Sequence, residues 1–254
     1  MTKTFDIKEI WCSRTRTSGS AAPENYRIYG KAYIPDGGRY PLVIFSHELG
    51  KNYEAGVPYA ERLAASGYAV YTFDYCGGTV FCNWKGEIVR PRRSSGETTD
   101  ASLVTWIEDL TAVAAAAKTW EFVDPGKIFL AGGSQGAVSS ALTACRDRQL
   151  QGDRQFQGAR QLQGDRQLQG NLGIAGLILL YPPLDLPERM HGLFHSREQI
   201  PEIFDLFNGW IMLGKRYADD IWDFDVYGEL AEYTRPVLIL HGDKDDVVDI
   251  SVSE

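Results

Sequence analysis

Five short, almost unbroken apolar runs, separated by helical patterns, limit the fold of this chain more than any other feature. They are YPLVIFSH (40–47), YAVYTFDY (68–75), KIFLAGGS (127–134), IAGLILLYP (174–182) and PVLILHGD (236–243). A strand with one wet face alternates apolar and polar residues, whereas a run apolar at every position suits a strand covered on both faces. Between the runs, residues 52–66 and 99–120 read as helices. In the second, Leu103, Ile107, Leu110 and Val113 recur at helical spacing, and Thr98, Thr99 and Asp100 are all competent N-caps. Strand, helix, strand repetition implies a mostly parallel sheet with helices on both faces. Ahead of it, YRIYGKAYIP alternates with period two, as an early antiparallel strand does. One α/β domain over residues 1–254 is the expected organisation.

One segment breaks the pattern. Residues 147–170 read DRQLQG, DRQFQG, ARQLQG, DRQLQG. Each unit carries a glycine that weakens a helix by ~1 kcal/mol relative to alanine. Leu150, Phe156, Leu162 and Leu168 recur every six positions. In a helix each is turned roughly 240° from the last, so no apolar face forms. The segment reads as an expanded, solvent-exposed connection, helical or disordered, whose removal leaves the domain folded.

Charge narrows the partners. With 26 Lys and Arg against 34 Asp and Glu, the net charge of −8 argues against nucleic acid or an anionic membrane as partner. The N-terminal stretch has no signal-peptide run, and nothing approaches the ~18 apolar residues of a membrane span. A cytoplasmic protein is expected. Cys12, Cys76, Cys82 and Cys145 lack metal-type spacing and read as reduced thiols, with a Cys76–Cys82 disulfide left open.

The chemistry sits at GGSQG (132–136), a G-x-S-x-G motif with KIFLA before it and AVSSALTAC after it. A glycine-rich strand-to-helix turn is the plain reading. The nucleophile elbow is the sharper one, because glycines on either side let neighbouring backbone come close and the helix N-terminus favours developing negative charge. Ser134 is the candidate nucleophile. Acyl transfer also needs donors for the tetrahedral oxyanion. The backbone N–H of Gln135 is one, and that of Leu49 in SHELGKN is the other. His47 in the same loop reads as a structural hydrogen-bonder rather than a base.

Together FSHELG, FDYCGG, GGSQGA and LILHGDKDDVV resemble the α/β-hydrolase superfamily, and in particular bacterial cinnamoyl (feruloyl) esterase-like serine hydrolases. The resemblance covers nearly the whole chain outside the repeat. It implies a Ser–Asp–His triad in that chain order, a helical cap over 184–227, and no metal or organic cofactor. The triad acid then falls on Asp245, with Asp243, Asp246 and Asp249 facing water and Asp185 as second choice. Two departures stand out. Glu48 follows His47 where the pattern has glycine, and a carboxylate pointing inward there would hinder an oxyanion. The resemblance also implies a histidine a few tens of residues beyond the acid, and the sequence stops at Glu254. The expectation is therefore a fold lacking its C-terminal strand and helix, and a triad lacking its base.

In the cap, Phe194, Phe204, Phe207, Trp210, Met212, Tyr217, Trp222 and Phe224 read mostly as packing, with some lining an apolar acyl pocket. His191 and His195 there read as ordinary core or surface residues. The expected function is hydrolysis of a small-molecule ester with an aromatic (hydroxycinnamoyl) or medium-chain acyl group through an acyl-enzyme. A peptidase or thioesterase of the same fold, and a non-catalytic ligand-binding protein, are the alternatives.

Overall fold

A computed structural model describes residues 5–16, 24–78, 93–149 and 171–254. Its main sheet has seven strands: β1 (Phe5–Arg16), β2 (Glu24–Pro35), β3 (Tyr40–Ser46), β4 (Ala69–Phe73), β5 (Val123–Gly133), β6 (Ile174–Leu180) and β9 (Val237–Leu240). They lie in the order β1-β2-β4-β3-β5-β6-β9. The pairs β1–β2 and β2–β4 are antiparallel, and the remaining four pairs are parallel. The five apolar runs became β3, β4, β5, β6 and β9, and the alternating stretch became β2. Burial follows the pattern for β3 and β4, whose central residues are inaccessible. It fails for β9, at the edge of the described sheet, which is exposed at all four positions and so is covered on neither face by the described residues.

Helices α1 (Val57–Ala65), α2 (Leu103–Ala117) and α3 (Gln135–Gln149) cover the sheet. Leu103, Ile107, Leu110 and Val113 are all buried along α2. The cap of α2 is not one of the three expected residues. Thr98–Asp100 forms a separate 3-10 turn, and Ser102 accepts from the Thr105 N–H in a reciprocal capping box. One core cluster joins β2, β3, β4, α2 and β5 around Trp106, Tyr71 and Ile44, and another joins α1 to the opposite face through Val43, Phe45, Ala60 and Ala64. Buried charge ties β1 to α2: Arg14 meets Asp109 at 2.6 Å and Glu108 at 2.7 Å, and Asp109 accepts the Cys76 N–H. Complete burial outweighs Arg14 and pushes the Asp109 carboxyl up to about 6.

After β6 come α4 (Leu186–Leu193), the antiparallel pair β7 (Ile203–Leu206) and β8 (Ile211–Gly214), α5 (Lys215–Ile221) and α6 (Val226–Ala231). The cap stretch is thus helical with a hairpin set into it. Phe204 and Tyr217 are buried there, and Phe194, Trp222 and Phe224 pack on the same cluster. Phe207, Trp210 and Met212 are exposed on the hairpin instead.

Cys12 and Cys76 are buried free thiols and Cys145 is buried, while Cys82 and residues 150–170 of the repeat lie outside the described residues. The repeat's first residue is not solvent-exposed: Asp147 is a buried part of α3. No helix among the described residues is long and apolar enough to cross a membrane.

Candidate active site

The parallel strands deliver their C-terminal ends to one rim, and the candidate residues lie along it. Ser134 connects β5 to α3 with φ 50°, a left-handed value that a side chain rarely adopts. Its N–H donates to the Leu180 carbonyl at 2.9 Å, and its own carbonyl opens α3 by accepting from Ala137 at 2.9 Å. Such strain persists only where neighbours enforce it, and the flanking glycines show how. A Cβ on Gly132 would lie 2.4 Å from the Gly136 carbonyl oxygen. One on Gly136 would lie 2.3 Å from the Ser46 oxygen and 2.4 Å from the His47 oxygen. The first turn of α3 therefore presses directly on the loop after β3, which carries Leu49. Ser134 itself is partly exposed at this junction.

Gln135 is almost wholly buried. Its side-chain oxygen accepts from the Tyr217 hydroxyl in α5, which ties the elbow to the cap.

His47 is inaccessible, and both ring nitrogens are engaged. Nδ1–H donates to the Glu48 carbonyl at 2.8 Å, and Nε2 accepts the Tyr75 N–H at 3.2 Å. A carbonyl can only accept and an amide N–H only donate, so the tautomer is fixed. Burial pushes its pKa below the ordinary imidazole value. The structural role expected of His47 holds.

Asp245 follows β9. Its Oδ1 accepts the N–H groups of Val247 and Val248, both at 2.9 Å. The Val248 and Val247 amides hold its carboxyl below the usual range. Asp245 is partly buried, whereas Asp243, Asp246 and Asp249 are exposed. Asp185 is already occupied, paired with Arg189 at 2.8 Å at the start of α4. His241 Nε2 lies 3.8 Å from Asp245 Oδ2 but donates to the Val248 carbonyl at 2.8 Å, while Nδ1 meets the Ser253 hydroxyl at 2.7 Å. His191 bonds the Trp222 carbonyl and His195 is exposed. No histidine among the four is free beside Ser134.

Sequence reasoning missed Tyr181. It follows β6 with φ 40°, its N–H donates to the Leu240 carbonyl at 2.8 Å, and its hydroxyl donates to Glu48 Oε1 at 2.9 Å. Glu48 points inward, over Gly133. The tyrosine in LILLYPP was visible, but nothing local announced a left-handed backbone or a partner so distant in sequence.

No family model matches the sequence, and no curated protein matches it. Solved structures do. Est1E from Butyrivibrio proteoclasticus, with ferulic acid bound, is 26% identical with a TM-score of 0.70, over 90% of this chain and 80% of that one. A putative hydrolase from Agrobacterium vitis S4 is 19% identical with a TM-score of 0.66, over 98% and 84%. The α/β hydrolase GrgF from Penicillium sp. sh18 is 14% identical with a TM-score of 0.64, over 97% and 84%.

Proposed function

We propose that this chain, an esterase-like α/β-hydrolase, belongs to a machine that cleaves carboxylic esters through an acyl-enzyme on Ser134. The observation that carries the reading is the strained φ of 50° at Ser134, enforced by Gly132 and Gly136 at the strand-to-helix turn. A fold maintains such a conformation where the side chain must stand clear of the backbone. On this reading the Ser134 oxygen attacks the acyl carbon, and the Leu49 and Gln135 amides hold the oxygen that becomes negative. The leaving alcohol takes the serine proton by way of a base, and water then cleaves the acyl-enzyme.

Asp245, with Oδ2 left over from its turn, is the acid that orients the base. None of the four histidines serves as that base, since His47, His191 and His241 are engaged and His195 stands exposed. The reading therefore takes the base from outside this sequence, and the chain alone is a poor catalyst. The aromatic residues of 184–227 and the ferulic acid seen in Est1E support an aromatic or medium-chain acyl group.

Added imidazole tests the whole reading. It should accelerate hydrolysis of 4-nitrophenyl esters by this chain, saturably, above the rate of Ser134→Ala, with hydroxycinnamoyl esters preferred over acetyl esters in kcat/KM. A wild-type rate equal to that of Ser134→Ala would favour the second reading, a hydrolase-fold protein that binds its ligand without turning it over. The engaged histidines speak for that alternative.

A further inference from the structure

We infer that Tyr181 is a positioning residue that clamps the Glu48 carboxylate across the end of β5, away from the oxyanion donors of the proposed acyl transfer. The inference rests on the assignment of Leu49 and Gln135 as those donors. It concerns a hydrogen bond that none of the roles above uses.

Topology makes the bond unusual. Strands β3 and β6 flank β5 and do not touch each other. Glu48 lies just beyond β3 and Tyr181 just beyond β6, so their 2.9 Å bond must cross the end of β5. What lies beneath it is Gly133, the residue before Ser134. A Cβ there would be 2.8 Å from the Tyr181 hydroxyl and 3.2 Å from both Cγ and Cδ of Glu48. A bridge of two side chains thus rests directly on the elbow.

Tyr181 is held for this task. Its left-handed backbone is fixed by the bond to Leu240, and its ring packs on the cluster that contains Val43, Phe45, Ala131 and Leu180. Burial, then the nearby Glu48 and Asp245 charges, raise its pKa, so the hydroxyl stays protonated and donates.

Glu48 is held by less. Its main chain is fixed, since its carbonyl accepts from His47 Nδ1 at 2.8 Å and from the Lys51 N–H at 3.1 Å. Its carboxylate has one tether. Oε1 takes the tyrosine hydroxyl, Oε2 is buried with no partner, and among the described residues no lysine or arginine pairs with it. A buried acceptor without a donor is costly, so a released carboxylate would turn to the N–H groups assigned above as oxyanion donors. Leu49 is its immediate neighbour, and Gln135 follows Ser134. A carboxylate on those amides would displace the acyl oxygen and repel the charge developing on it. Tyr181 prevents this by giving Glu48 a better partner on the far side of β5.

The test follows phosphonylation of Ser134 by a fluorophosphonate, with imidazole as the base. The Ser134 oxygen bonds to phosphorus, fluoride leaves, and the proton goes to imidazole, with the phosphoryl oxygen on the same donors. Tyr181→Phe keeps the ring and removes the donor, and should label at least 10-fold more slowly than wild type. Glu48→Gln removes the charge and should label as fast as wild type or faster. The double variant should match Glu48→Gln, because no charge is left to restrain. A purely structural tyrosine would instead slow the double variant as much as the single one, and that result would overturn the inference. Equal labelling of Tyr181→Phe and a reactive wild type would overturn it as well, leaving acyl transfer intact. Wild type no more reactive than Ser134→Ala would remove acyl transfer and the clamp together.

Discussion

A methyl group on Gly136 has nowhere to go, because backbone oxygens of Ser46 and His47 stand 2.3 and 2.4 Å from where it would be. Side chains can rotate away from such a clash, but two consecutive strand-end carbonyls cannot. Gly136→Ala should therefore lower stability by about 3 kcal/mol or more, at the upper end of the cost of overpacking. Urea unfolding checks the loss. The variant should also lose imidazole-assisted labelling of Ser134, since the loop bearing Leu49 is wedged away from α3. The sharp turn at Ser134 could be read from sequence because it is local: five residues, a strand before and a helix after. Asp245 as the acid rests on the resemblance; what the structure adds is a turn in which its Oδ1 takes the Val247 and Val248 amides. Tyr181 was not legible, because its meaning lies in a positive φ and in a partner on a non-adjacent strand. The inward direction of Glu48 was equally closed to inspection, because sequence names the charge without its rotamer.

Strands whose apolar runs are continuous were legible as elements, since burial on both faces leaves a signature in composition. Two elements escaped for different reasons. β1 mixes charged and apolar residues along FDIKEIWCSRTR and is defined by its twelve-residue pairing with β2. The β7–β8 hairpin did carry a local sign, Asn208-Gly209 between two apolar stretches, which is a strong turn signal. A third misreading concerns where α3 ends. Asp147 was counted as the first residue of the repeat, yet it is buried and its carboxylate accepts the N–H groups of Leu172, Gly173 and Ile174. It anchors the end of α3 to the start of β6, holding together the two flanks of the repeat. Asp147→Ala should cost about 2–4 kcal/mol, since three backbone donors lose a charged acceptor. Replacing residues 150–170 by a short linker should leave the melting temperature nearly unchanged, whereas removing 147–170 should lower it as Asp147→Ala does. Thermal denaturation of the three variants decides. Equal melting temperatures for both deletions would mean that the Asp147 contacts contribute nothing.

The molecule as a whole is asymmetric across its sheet. On one side β1 and β2 close the sheet with a long antiparallel pair, whereas β9 on the other side pairs, among the described residues, only with β6. Val237, Leu238, Ile239 and Leu240 are exposed by 45, 51, 38 and 51%. An apolar edge strand with free backbone donors and acceptors is a template for another strand, and proteins usually blunt such edges with charge, proline or a covering element. Within β9 there is no charged residue and no proline; Pro236 only precedes it. Asp245 leaves the same strand on the rim that carries Ser134. The chain in isolation should therefore bind an apolar dye such as ANS and self-associate as concentration rises. Leu238→Lys, which places one charge in the middle of the edge, should reduce both effects. Its melting temperature should hold within a few degrees, because the leucine is half exposed and little packing is lost. Light scattering with size-exclusion chromatography, run beside dye titration, measures this directly. If Leu238→Lys changes neither, stickiness must come from elsewhere, with the exposed Phe207, Trp210 and Met212 of the cap hairpin the next surface to alter. If it abolishes both, the apolar β9 edge is the surface through which the chain associates.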